Sequence, residues 1–330
     1  MVLLRVAVLK LQGFIMSDEM NLKAPWLVAV WPGMGHVALS AGYFLMAKLN
    51  MHQMAEFSGG GLFDVDFAMI KDGVIQNTHQ PRSRLFLWKG QEGKRDIIVF
   101  IGEQQPPRGK YAFCENLIDF ARDHGVERIF TFAAMATEMH PEQESRIFAA
   151  ATDTTLLKEL DRPEVRILQE GHIGGLNGVL LGVAKDKGMP GICLLGEMPH
   201  VFAQVPFPKA SLTVLKLFAE MAEIQMDFTE LAHQAEEIEH HLGDIVAKLQ
   251  ANLQQSESQE PEEEFKMPEQ YEGLSEKDEQ KIESLFEQAR QDRSKAYELK
   301  SELDRLEIFD DYEDRFLDLF SKPQHDGSQS

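Results

Sequence analysis

The chain has 330 residues, room for an α/β core plus an appendage, which excludes a small stapled scaffold. Its 54 acids against 33 bases leave a net charge of −21, a field that repels phosphate backbones and anionic head groups, so neither nucleic acid nor a membrane surface is expected as a partner. Two cysteines, Cys114 and Cys193, are too few for a disulfide framework or a four-thiolate zinc site and point to a reducing, cytoplasmic setting.

Residues 1–23 open the chain as an N-terminal extension, in which Arg5 and Lys10 interrupt an apolar run that makes a poor signal peptide. No run of about 18 apolar residues follows anywhere, so no span is expected. From residue 24 strands and helices alternate. Trp26–Trp31 is rich in β-formers and stops at Pro32-Gly33, after which Val37, Ala41, Phe44, Leu45 and Leu49 take helical spacing. Met51–Glu56 reads as a further strand, and Lys71-Asp72-Gly73 as the turn of an antiparallel insertion between Leu62 and Lys89. Strands are predicted at 96–101, 128–132, 146–150, 164–168 and 191–195, and helices at 111–124, 156–160 and 176–187. Beyond Pro208 the pattern turns helical, to about Leu249. Strands apolar on both faces and joined by helices predict an α/β fold, a mostly parallel sheet covered on both faces over residues 24–250.

The charge divides the rest of the chain from this body. Residues 251–330 hold 23 acids and 10 bases, a net −13, which leaves −8 for residues 1–250. Residues 251–274 read as an acidic linker and 275–320 as a helical tail. Ser275-Glu-Lys-Asp278 looks like a capping box, and apolar residues from Ile282 to Leu306 predict one amphipathic helix, its stripe weakest at Asp292 and Arg293. Phe309, Tyr312, Phe316, Leu317 and Phe320 sit among acids, a segment expected to dock on the body or on a partner. Residues 321–330 read as a disordered terminus.

Candidate chemistry gathers at turns. Gly33-Met-Gly35-His36-Val-Ala38 follows a strand and opens a helix, with Glu56 some twenty residues on. That is a dinucleotide pattern, but Pro32, Met34 and His36 crowd it, and a tight βα turn is the reading favoured over cofactor binding. Gly171-His-Ile-Gly174-Gly175-Leu-Asn177-Gly178 offers either an anion nest or a close helix–sheet approach. Glu103, Glu170 and Glu197 follow strands predicted to be parallel, and carboxylates gathered at that edge are the residues to expect if the protein is an enzyme. Two Glu-x-x-His pairs, Glu230/His233 and Glu237/His240, share one helix about 10 Å apart and cannot surround one metal pair. No metal site and no cofactor are expected. Val201-Phe202-Ala-Gln-Val205-Pro-Phe207-Pro is apolar and held extended by its prolines, so Val201, Phe202, Val205 and Phe207 are the candidates for an oligomer or partner contact.

Three blocks in order, Trp31–Ala38, Gly174–Glu197 and Pro206–Leu215, together with the helix around Leu231-Ala-x-x-Ala-Glu-Glu-Ile-Glu, resemble the proteasome assembly chaperone 2 family in its bacterial and archaeal form, over about residues 24–249. The resemblance implies a phosphorylase/hydrolase-like α/β architecture, homo-oligomers of three or more copies, and protein partners rather than catalysis. Some archaeal relatives dock on proteasomes through a C-terminal hydrophobic-Tyr-any tripeptide. The sequence given ends Ser328-Gln-Ser330, so docking by that device is not expected. The function this predicts is a non-catalytic, homo-oligomeric assembly chaperone or adaptor in the cytoplasm. The alternative is an enzyme or small-molecule binder using Glu103, Glu170 and Glu197.

Overall fold

The structure is a computed structural model that describes residues 14–16, 21–57, 61–63, 68, 70–71, 73–75, 81–91, 93–256, 274–306 and 308–321. The sequence's N-terminal extension, acidic linker and terminal segment therefore lie largely outside the described residues.

Two strands and a helix open the body: β1 (Phe14–Met16), β2 (Trp26–Val30) and α1 (Val37–Lys48). Then come β3 (His52–Phe57), a two-stranded hairpin of β4 (Ile70–Lys71) and β5 (Val74–Ile75), β6 (Ser83–Trp88) and β7 (Ile97–Gly102). The chain continues through α2 (Lys110–Asp123), β8 (Arg128–Thr137), β9 (Ile147–Ala151), α3 (Thr154–Glu159), β10 (Val165–Ile167), α4 (Gly175–Asp186) and β11 (Gly191–Pro199). Two helices close it, α5 (Pro208–Met221) and α6 (Thr229–Ser256).

The main sheet runs β1-β3-β6-β7-β2-β8-β11-β9-β10. The expected α/β sheet is there, with its central block, β7-β2-β8-β11, parallel throughout. On one flank β6, β3 and β1 are added antiparallel, and on the other β9 runs against β11 with β10 parallel to β9. The inserted hairpin at Lys71–Gly73 is antiparallel, as its turn predicts.

Alternating side chains on each central strand build two cores, one per face. Leu27, Ala29, Ile98 and Phe100 face α2 and α4, which bury Phe113, Leu117, Leu176 and Leu180. Val28, Val30, Val99 and Ile101 face α1 and α5. Helix α1 is apolar nearly all round, and a helix of that kind needs cover on both sides. The sheet covers one side and the tail covers the other.

The tail is three helices, α7 (Glu276–Gln291), α8 (Ala296–Arg305) and α9 (Phe309–Asp318). Ser275 caps α7 as its sequence predicts, accepting from Asp278 N. The single helix expected over 275–306 is broken by a 3-10 turn at Arg293–Lys295. Asp292 leaves helical geometry to accept from Ser294 N, and Arg293 donates to Met51 O and Ser321 O, so the break fastens the tail to the body. Ile282, Phe286, Tyr297, Leu303, Phe316 and Phe320 join the same core as Tyr43, Phe44 and Phe86. Tyr43 meets Phe309 and Phe316 edge-on with ring centroids 5.1 and 5.5 Å away, and Phe44 meets Tyr297 at 4.9 Å.

Candidate partner-binding surface

At the carboxyl edge of the parallel strands, the turn after β2 and the segment after β11 are stitched into one ridge. Gly35 N donates to Ala203 O at 2.8 Å, and Phe207 N donates to Gly35 O at 2.9 Å. Gly35 adopts φ +60°, and a Cβ there would stand 2.6 Å from Met198 Sδ, so the turn needs a glycine for both backbone angle and space. The ridge leaves three apolar side chains open to solvent: Met34 at 45% exposure, Val201 at 64% and Val205 at 37%. Phe202 is partly buried against the core. Phe207, expected as a contact, is instead 1% exposed, drawn inward where its amide anchors the ridge to Gly35.

Beside the ridge lies a groove of about 540 Å³, lined by Thr137, Glu138, Met139, Gln143, Glu144, Arg146 and Glu197. Its floor is Glu197. The predicted strand ended at Leu195, but the ladder with β8 continues to Pro199, so Glu197 lies within a buried strand rather than in a loop beyond it. Its carboxylate accepts from Thr137 Oγ1 at 2.7 Å and from Arg146 Nε at 2.6 Å, with a second bond from Arg146 Nη2. Burial works to raise this carboxyl, yet the bonds from Arg146 and Thr137 outweigh it and hold the group below its ordinary range. These partners hold Glu197 in place as an anion.

The other two predicted carboxylates are elsewhere. Glu103 follows β7, where Arg82 N donates to Oε2 at 2.8 Å and Arg84 Nη2 lies 3.5 Å from Oε1. Strands β2 and β8 separate it from Glu197's strand. Glu170 is exposed and follows β10, which runs counter to the parallel block, because β9 turns back against β11 and β10 follows β9. The three therefore do not share a parallel-strand edge.

The glycine turns divide: a Cβ at Gly35, Gly175 or Gly178 would meet protein within 3 Å, whereas Gly33, Gly171 and Gly174 face open space. Strand β3 is separated from β2 by β6 and β7, and its Glu56 pairs with Arg82 at 2.6 Å, so it does not stand beside Gly33–Ala38 as a ribose-binding acid must. His36 sits at φ +51° next to the tail, its imidazole held below the usual range by desolvation and then by Lys300. Gly171 and Gly174 are exposed, as is Gly33. Gly175, at φ +64°, faces Gln105, whose Oε1 accepts from Leu176 N at 3.1 Å and so engages the start of α4. Asn177 is half-buried, and its Oδ1 meets no donor among the described residues. Both cysteines are buried, and desolvation pushes each thiol up to about 12. No group of three or more His, Cys, Asp or Glu among the described residues is arranged to hold a metal ion, and none of the described helices is long and apolar enough to cross a membrane.

Sequence reading missed Arg82, Arg84, Tyr43, Glu313 and Asp314, which meet at the body–tail seam. Arg82 Nη1 lies 3.2 Å from Asp314 Oδ1, Arg84 Nη2 bonds the same oxygen, and Tyr43 Oη donates to Glu313 Oε1 at 2.5 Å. The alternation of Arg82 and Arg84 around a strand start was the available signal.

The family model for the PAC2 family matches residues 27–246. A protein of Methanocaldococcus jannaschii is 27% identical over 75% of this chain and 93% of its own. Pyrococcus furiosus PbaB, an archaeal proteasome activator, is similar at 25% identity and a TM-score of 0.61, over 70% of this chain and 97% of its own. A Mycobacterium tuberculosis proteasome-assembly chaperone homologue shares the fold at 19% identity and a TM-score of 0.59, over 68% of this chain and 95% of its own. The three sequence blocks, the helix-covered sheet and the extent of the match agree: this chain belongs to the PAC2 family.

Proposed function

We propose that the protein is a non-catalytic assembly chaperone or adaptor that binds protein partners, further copies of itself among them, through the ridge bearing Met34, Val201 and Val205. The observation that carries this reading is the exposure of these three apolar side chains on a segment that main-chain bonds hold in place. A preformed apolar patch loses little entropy on association, which suits recognition of a folded partner. PbaB is an archaeal proteasome activator, and the corresponding partner here is a subunit of a proteasome-like or other protein assembly, met in the cytoplasm. The rival reading, chemistry on a small substrate, loses its support because Glu103, Glu170 and Glu197 are dispersed and the first and last are engaged by arginines.

Affinity capture of the full chain from its native cell, read by mass spectrometry of proteins and small molecules, tests the reading. Val201→Asp with Val205→Asp is expected to lose the captured protein at least tenfold while the thermal melt stays within about 2 °C, since both positions are exposed. Unchanged capture by the double variant, or a metabolite that co-purifies and is turned over, overturns it.

A further inference from the structure

We infer that the face made by α1, the start of β6 and Glu103 is a second protein-binding surface, that its ligand is an amphipathic helix with acids on one side and aromatics on the other, and that α9 occupies it in cis as an exchangeable ligand. The shared family fold builds the receptor. The family match stops at 246, and 97% of PbaB is accounted for by 70% of this chain, so the match to the family ends before the helices that cover α1 here.

The chemistry of the occupant is written in its contacts. On its apolar side, Phe309 and Phe316 bracket the Tyr43 ring and Phe320 packs on Phe86 at 6.2 Å. On its acidic side, Asp314 meets Arg82 and Arg84, while Glu313, four residues after Phe309 and so on the apolar side, meets the Tyr43 hydroxyl. The main chain closes the end of the helix, with Gln53 N donating to Phe320 O at 2.8 Å.

The fit is incomplete, and that is what makes the site one for exchange. Arg84 is 1% exposed, yet its Nε and Nη1 meet no acceptor among the described residues. A buried guanidinium with two idle donors is costly, and a helix that brings them an acceptor beyond Asp314 and the neighbouring Glu103 is expected to bind better than α9 does. Glu313 is also a poor match, a largely buried carboxyl facing Glu103 as well as Tyr43, which burial first and then Glu103 and Asp310 push up to about 7. The arginines select acids, the Tyr43–Phe86 floor selects aromatics, and a partner helix with both competes with the chain's own.

The test starts from the full, folded chain. A specific protease site placed within 257–273 is cut, and the cut protein is mixed with a fluorescent 275–330 fragment. Exchange of the labelled fragment into the body, and its displacement by a peptide spanning 306–321, is the expected result. The same fragment carrying Asp314→Asn is expected to compete at least tenfold less well. Because that substitution sits in the added fragment, loss of body folding cannot mimic the effect. A cut chain that never exchanges, a body that precipitates once its tail leaves, or a D314N fragment that competes as well as the unaltered one overturns the proposal.

Discussion

At the scale of single residues, the ridge depends on one position that tolerates no side chain. Gly35→Ala places a Cβ in a left-handed backbone that costs roughly 1 to 2 kcal/mol and drives it against Met198, which is wholly buried and must repack. A loss of about 2 to 3 kcal/mol in chemical denaturation is expected, with unchanged slope. Partner capture should fall with it, because the Gly35 amide and carbonyl tie the two segments of the ridge together. The sequence made the glycine legible as a turn residue, and made Val201 and Val205 legible as apolar residues to watch, which the structure leaves exposed. It misassigned Phe207 because an apolar residue in an extended segment looks the same whether it faces solvent or core. Only its burial in the folded core decides between them. The carboxylates failed for a related reason: a Glu after a strand reads as a ligand-edge residue only if the strand's direction is known, and β10's direction is set by pairing with β9, far from Glu170 in the pattern.

Among elements, the tail helices show how far periodicity carries. Apolar spacing of three and four located α7 and α8, and the weakness at Asp292 and Arg293 marked the place where they part, but a break needs a reason that spacing does not contain. The reason is the reach of Arg293 to Met51 O and Ser321 O. Helix α9 adds a dependence on pH. Its Glu313 stands at about 7 when docked against an ordinary 4.5, through burial, then Glu103 and Asp310, opposed by the Tyr43 hydrogen bond and by Arg84. A carboxyl raised by docking stabilises the docked state fully below its ordinary value, and that contribution is lost as pH rises through 7. The difference amounts to roughly 3 kcal/mol at most. Glu302 and Glu283, both held low, pair with Arg305, Lys281 and Arg315 inside the tail itself, so their titration does not oppose docking in this window. Retention of the cut tail should therefore weaken between pH 5 and 8, by less than Glu313 alone would give, because His36 is held low beside the tail and its cost to docking lifts as pH rises to its ordinary 6.5. Glu313→Gln should flatten the profile, and a profile that keeps its slope in the Gln variant would assign the dependence to other groups.

For the whole molecule, charge sets a conflict that the local contacts must overcome. A body of −8 over residues 1–250 holds a tail of −7 over residues 275–330, 16 acids against 9 bases, so the two repel at long range while aromatic packing and the pairing of Arg82 and Arg84 with Asp314 attract at short range. Salt separates the two contributions. Screening acts over about 10 Å at 0.1 M and removes repulsion between exposed acids, whereas a pair in which Arg84 is buried is screened far less. Apolar contact between α1 and α8–α9 is unaffected at these concentrations or slightly strengthened. Raising salt from about 20 to about 300 mM should thus slow the loss of the cut tail and tighten its rebinding. Titration of the fluorescent fragment at the two salt concentrations and fixed pH reads this directly. Weaker binding in high salt would mean that the exposed Arg82–Asp314 attraction, rather than the net repulsion of two acidic bodies, governs how the tail is held, and would place the selectivity of the α1 face in its arginines more than in its aromatic floor.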